Sequence, residues 1–212
     1  MPRPRMFDEA EVIDRARRTF AETGFAGTSL DDLLEATGLA RQSLYNAFGG
    51  KKELFMRAFL SDTAEAVDAV KTSLQSAEHP IVRIRTVLVS AAVEHGAGQA
   101  PPSLFLRAAV ELSSREVEVA AAVASAFDAI RADYVACIVD AQAAGEIEAD
   151  ADAEALGTYF CAVIEGMSTL GRVGVSRATA QRHLAELAAR GAIDVTLQYG
   201  SAGRPEHRYR LC

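Results

Sequence analysis

"ARRTFAETGFAGTSLDDLLEATGLARQSLYNAFGGKKELF", residues 16–55, decides how this chain is read. Just ahead of it and into it, Phe7, Ala10, Ile13, Ala16 and Phe20 recur at three- and four-residue spacing, which predicts an amphipathic helix that stops at Gly24. Thr28 or Ser29 is suited to cap a second helix of about two turns, with Asp32 near its positive end. Leu30, Leu33 and Leu34 would face inward, and Gly38 would close the helix in a tight turn. A third short helix, "ARQSLYNAF", would bury Leu44 and Phe48 and present Arg41, Gln42, Ser43, Tyr45 and Asn46 outward. Gly49-Gly50 breaks it, and "KKELFMRAFL" opens a longer fourth helix.

Two short helices joined by a glycine-containing turn, the second polar on its outer face, make the helix-turn-helix geometry that places one helix in a DNA major groove. The side chains suit that task. Arg41 and Gln42 can make paired hydrogen bonds to base edges, and Ser43 can reach a base or a phosphate. Tyr45, Thr28 and Lys51 are placed to hold the sugar-phosphate backbone. A small helical bundle with a solvated polar face has the same spacing and is the alternative reading.

The stretch from Phe7 to Phe59 resembles the DNA-binding domain of TetR-type transcriptional regulators. It carries Phe20, Gly24-Phe25, Thr28-Ser29, Gly38, Leu44-Tyr45, Phe48, Lys51 and Leu54 in the family's register. The resemblance implies phosphate contacts from Tyr45, Thr28 and Lys51, and puts Arg41, Gln42 and Ser43 near bases. Two positions depart from the family pattern. Ala40 stands where a capping serine is common, which costs the third helix about 1 kcal/mol of local stability. Gln42 stands where many members have glycine. Arg3 and Arg5, ahead of the first helix, are candidates for a minor-groove contact.

The formal net charge of −7 would argue against nucleic acid if it were spread evenly. It is not. Residues 1–60 carry nine Lys/Arg against nine Asp/Glu, residues 61–175 carry seven against seventeen, and residues 176–212 carry six against three. The termini can approach phosphate and the middle cannot.

That acidic middle is a succession of helical patterns, with breaks at residues 78–80, 96–102, 113–114 and 145–152. In "DADAEALGTYFCAVIEGMSTLGRVG" an Asp at 150 or 152 caps a helix whose face combines Leu156, Tyr159, Phe160, Val163, Ile164 and Met167. With "AAVEL" at 108–112 and "GMSTLGRVG" at 166–174, this region resembles the ligand-binding and dimerisation domain of TetR-type proteins. The resemblance implies an all-α bundle, a homodimer and a small-molecule effector. Phe105, Phe127, Tyr134, Tyr159 and Glu165 are candidates to line its pocket, although aromatic residues at helical spacing equally build a core.

TetR-type chains usually finish with a helix of the dimer interface, and here the ending differs. "SRATAQRHLAELAARGAI" reads as a helix capped by Ser176, with Ala180, Leu184 and Leu187 inward and Gly191 as its stop. Ile193, Val195, Leu197 and Tyr199 then alternate along a strand, "GSAGRP" turns, and His207 to Leu211 returns as a hairpin. This segment resembles the recognition helix and wing of citrate-sensing type response regulators, which implies a second DNA contact through Arg204 or Arg208. Two other readings stand beside it: the helix replaces the missing dimer helix with the ribbon as its cover, or the tail is a rearranged end.

Other function classes have little to rest on. Cys137, Cys161 and Cys212 are far apart, and His79, His95, His183 and His207 lack metal-ligand spacing. No nucleophile elbow, phosphate loop or zinc-protease motif occurs. The carboxylates of "REVEVA" and "GEIEAD" read as solvated charges. The start, "MPRPRMFDEAEV", lacks an apolar signal core, and no run of eighteen apolar residues follows. The expectation is therefore a cytoplasmic protein that is no enzyme, needs no metal or cofactor and meets no membrane. It is all-α with a short C-terminal β-hairpin: a helix-turn-helix domain over residues 1–60, an effector-binding and dimerisation bundle over 61–175, and a winged-helix-like tail over 176–212. Its partners would be a double-stranded DNA operator, an unknown small-molecule effector and a second copy of itself.

Overall fold

The computed structural model describes residues 7–96, 102–172, 193–199 and 205–211. Among them are eight helices, α1 (Glu9–Gly27), α2 (Leu30–Thr37), α3 (Arg41–Phe48), α4 (Lys51–Leu74), α5 (Pro80–Gly96), α6 (Leu104–Leu112), α7 (Val117–Ala143) and α8 (Ala153–Arg172). Two strands follow, β1 (Ile193–Tyr199) and β2 (Pro205–Leu211).

α1 and α2 begin where the sequence supplies a side-chain cap. The Asp8 carboxylate accepts the Ala10 N–H at the start of α1. Ser29 caps α2 in a reciprocal pair, its hydroxyl accepting the Asp32 N–H at 3.1 Å while the Asp32 carboxylate accepts the Ser29 N–H at 2.7 Å. Gly38 then takes the left-handed conformation, φ 71°, that only glycine adopts without strain. α3 starts at Ala40 with no side-chain cap, as its sequence requires.

Two details of α1 correct the periodicity reading. The helix does not stop at Gly24 but kinks there, with φ 80°, and adds one more turn to Gly27. Ala10 is exposed, and Val12 takes the buried place on that face beside Ala16 and Phe20.

The core of the first compact unit, residues 7–87 with 102–161, is aromatic. Phe20 meets Phe55 edge-on at 5.2 Å, and Phe55 lies parallel to Phe59 at 6.0 Å. Full burial of each such ring contributes about 2–3 kcal/mol, which is what holds the short α2 and α3 through Leu33, Leu44 and Phe48. α6 packs against α1 and α4, and α4 packs against α7. Asp152 caps α8 by accepting the Ala155 N–H. Tyr159, on the face of α8 read as inward, is 51% exposed, whereas its neighbour Phe160 is buried against Tyr134.

The second unit contains residues 88–96, 162–172 and the hairpin. There β1 pairs with β2 antiparallel, in a register that sets Ile193 opposite Leu211 and Val195 opposite Tyr209. The helix read over 176–190 lies outside the described residues, as do Arg3, Arg5 and Arg204.

Candidate nucleic-acid interface

α3 is anchored through Leu44 and Phe48, both buried, so its opposite face must point to solvent. Arg41, Gln42, Tyr45 and Asn46 are exposed there and Ser43 is half-buried. The side chains are already engaged with one another. Arg41 Nη2 donates to Asp31 Oδ1 of α2 at 2.6 Å, and Gln42 Nε2 donates to Asn46 Oδ1 at 2.9 Å. Lys51, at the first position of α4, holds its ammonium 4.4 Å from the ring centre of Phe25.

Thr28 does not join this face. It is 1% exposed, and its hydroxyl donates to the Gly24 carbonyl at 2.6 Å and lies 2.6 Å from the Thr23 hydroxyl. Its hydroxyl closes the kinked end of α1, and the exposed capping residue beside it is Ser29.

The cations of this region are matched almost one for one. Arg15 pairs with Glu11, Arg17 with Asp14 and Asp62, and Arg18 with Asp14. Arg41 pairs with Asp31, Lys52 with Glu116, and Arg57 with Glu9. Two carboxylates, Asp62 and Glu111, hold α6 to α1. Asp62 of α4 accepts from Arg17 at 3.1 Å and from the Phe105 N–H, at the start of α6, at 2.8 Å. Glu111, near the end of α6, accepts from the N–H groups of Phe25 at 3.1 Å and Ala26 at 2.8 Å. No sequence signal marks Asp31, Asp62 or Glu111, because each partner lies ten or more residues away and carboxylates of no special spacing surround them.

The candidate pocket residues fall in separate places. Phe105 and Phe127 pack on each other at 5.4 Å as part of the core. Tyr134 is wholly buried, its hydroxyl has no hydrogen-bond partner among the described residues, and burial pushes its pKa up. Tyr159 is at the surface and Glu165 is half-buried. An open groove of about 480 Å³ between α4 and α7, lined by Leu60, Val67, Lys71 and Ala126 among others, contains none of the five. Arg208 lies on β2 opposite Thr196. Among the described residues no cluster of His, Cys, Asp or Glu is suited to a metal, and no helix is long and apolar enough to cross a membrane.

The chain is similar to known regulatory proteins in sequence and in fold. Residues 12–58 match the model of bacterial regulatory proteins of the tetR family, and residues 103–187 match that of the tetracyclin repressor-like C-terminal domain. The uncharacterized HTH-type transcriptional regulator YezE of Bacillus subtilis (strain 168) is 51% identical over 61 residues, 29% of this chain and 31% of YezE. The chain thus spans about a third of that relative. The HTH-type transcriptional repressor ComR of Escherichia coli (strain K12) is 29% identical over 177 residues, 82% of this chain and 84% of ComR. The structure of a cysteine mutant of the TetR family regulator CifR, complexed with 26-bp double-strand operator DNA, superposes with a TM-score of 0.74 at 27% identity, covering 89% of this chain and 98% of that one. With both of its family domains matched in order, and a solved regulator of the same architecture aligned along most of its length, the chain belongs to the TetR family of transcriptional regulators.

Proposed function

We propose that the chain is a ligand-responsive repressor that binds a near-palindromic operator as a homodimer. Residues 1–60 would bind DNA, 61–175 would hold the effector and the dimer contact, and 176–212 would form a tail. The observation that carries this reading is α3, which turns Arg41, Gln42, Tyr45 and Asn46 to solvent on a helix fixed from behind by Leu44 and Phe48. Arg41, Gln42, Ser43 and Asn46 would meet base edges, while Tyr45, Lys51 and the exposed Ser29, beside the buried Thr28, would meet phosphates. The repressor names and the operator complex among its relatives support the same assignment.

Regulation follows from differential affinity. An effector in the helical bundle would favour a position of α6 that no longer lets two copies of α3 sit in major grooves about 34 Å apart. α6 is suited to pass that shift on, because Asp62 and Glu111 bond its two ends to α1. The buried Tyr134 hydroxyl, unpartnered among the described residues, supports a place for that residue beside the effector, with Phe105 and Phe127 nearer the α1 side. The exposed Tyr159 on α8 fits the dimer face better than a pocket.

The β1–β2 hairpin keeps a second reading in view, in which a tail like that of citrate-sensing type response regulators adds a DNA contact through Arg204 or Arg208. An isolated two-stranded hairpin is marginal in water, so packing is the better-supported role. Selection of bound genomic fragments with the purified chain tests the main reading. One recurrent, near-palindromic sequence is expected, and recovery of no preferred sequence would refute it.

A further inference from the structure

The recognition helix carries its own counter-ion. Arg41 is bonded at 2.6 Å to Asp31 on the first turn of α2, and the two side chains are 58% and 80% exposed. Neither the core nor the capping of α2, which uses Ser29 and Asp32, requires the pair. Residues 1–60 have as many acidic as basic side chains, and the other arginines of residues 7–60 are likewise paired with carboxylates. Sequence-independent attraction to DNA comes from cations laid on phosphates, so a domain paired in this way has given much of it up.

The two kinds of DNA contact open to Arg41 differ in what they offer in exchange for Asp31. A phosphate provides one more anion in place of the carboxylate, and it sets that anion against an Asp31 left unpaired. Little is gained. A guanine edge provides two parallel acceptors, N7 and O6, that match the planar guanidinium fork and add no charge beside Asp31. An exposed ion pair is held weakly, because water solvates both partners, so such an edge can displace it or share the five donors with it.

We propose that Asp31 is a specificity-determining residue: by neutralising Arg41 it withholds that cation from phosphates at random sites and yields it to the correct base edge. The proposal rests on the assignment of α3 as the helix that enters the major groove. Asp31 touches no DNA in this scheme and acts through Arg41.

Fluorescence anisotropy across a salt series tests it, with the full chain, its selected operator and a random-sequence duplex. Asp31→Asn is expected to bind the random duplex about tenfold more tightly at low salt, with a salt slope steeper by about one unit. Operator affinity should rise less, so the ratio of the two narrows. Asp31→Glu should restore wild-type behaviour by keeping the pair. In the Arg41→Ala background, Asp31→Asn should lose most of its effect. If Asp31→Asn changes neither duplex, the proposal is overturned. It is also overturned if the gain on random DNA is equally large without Arg41, for then Asp31 acts only by its own charge. In both cases operator preference in the wild type, reduced by Arg41→Ala, would leave the assignment of α3 standing. A wild type with no sequence preference would remove that assignment and this proposal with it.

Discussion

Glu111 and Ala26, 85 residues apart in sequence, are joined by a 2.8 Å hydrogen bond from the Ala26 N–H to the Glu111 carboxylate. The same carboxylate accepts the Phe25 N–H, so it caps the turn that follows the kink at Gly24. A Cβ at Gly24 would lie 2.5 Å from Glu111 Oε2, on a backbone at φ 80°. Glycine is therefore needed there for the conformation, and a Cβ would push the Glu111 carboxylate off the Phe25 and Ala26 amides.

Glu111→Ala leaves two N–H groups without that acceptor and is expected to destabilise the fold by about 1–3 kcal/mol. Denaturant unfolding measures the loss, and hydrogen exchange at Phe25 and Ala26 should rise more than at the core amides of α4. Operator affinity should fall as well, since α1 positions α2 and α3. Glu111→Gln, which keeps one acceptor oxygen, should recover part of each effect. Unchanged exchange at both amides would show that the bond does not hold the kink.

The proposed DNA contacts divide into two classes by what they recognise. Tyr45→Phe and Lys51→Ala should weaken binding to all sequences, with Lys51→Ala lowering the salt slope by about one unit. Arg41→Ala should relax preference at particular base pairs and cost about 1–3 kcal/mol on the operator. Quantitative binding to the selected operator and to single-base variants separates the classes, and unchanged affinity for all three proteins would exclude α3 as the reader.

Ala40→Ser supplies the N-cap that α3 lacks. The backbone at Ala40 is already extended, at φ −70° and ψ 147°, as a cap requires. The substitution should stabilise the protein by about 0.5–1 kcal/mol, read as a higher denaturation midpoint at unchanged slope.

Acid should act on α2 through its capping box. The Ser29 backbone N–H, and then its hydroxyl, hold the Asp32 carboxyl below its usual pKa. Its stabilising contribution is thus complete above the unfolded value of about 3.9 and is lost as pH falls through the lowered folded value. Asp32→Asn should remove that part of the acid dependence, and an identical acid-unfolding profile in the variant would show that the cap contributes nothing.

Deleting residues 192–212 should preserve operator preference while lowering solubility, if the hairpin covers apolar surface and reads no bases. The full-length chain should sediment as a dimer at micromolar concentration. A folded, dimeric truncation that loses its preference would make the tail a DNA reader, and a chain that stays monomeric even with operator would remove the dimeric mechanism.

The boundaries of α2 and α3 and the anchor residues Phe20, Leu33, Leu44 and Phe48 were legible in the sequence, because caps, left-handed glycines and apolar spacing act over a few residues. Periodicity did less well at the kink, where Gly24 reads as a helix stop but the chain resumes for one turn under a cap from α6. Thr28 was read as a phosphate contact, and the fold buries its hydroxyl against the Gly24 carbonyl. The five residues read as pocket candidates were chosen by type, yet burial separates Tyr134 in the interior from Tyr159 at the surface, one helix away. Local pattern determined which segments become helices and, for α2 and α3, which face is apolar. Which carboxylate meets which cation or amide, Asp31 with Arg41, Asp62 with Arg17 and Glu111 with Ala26, was decided only in the tertiary structure, since these polar contacts form across elements and leave no period in the chain.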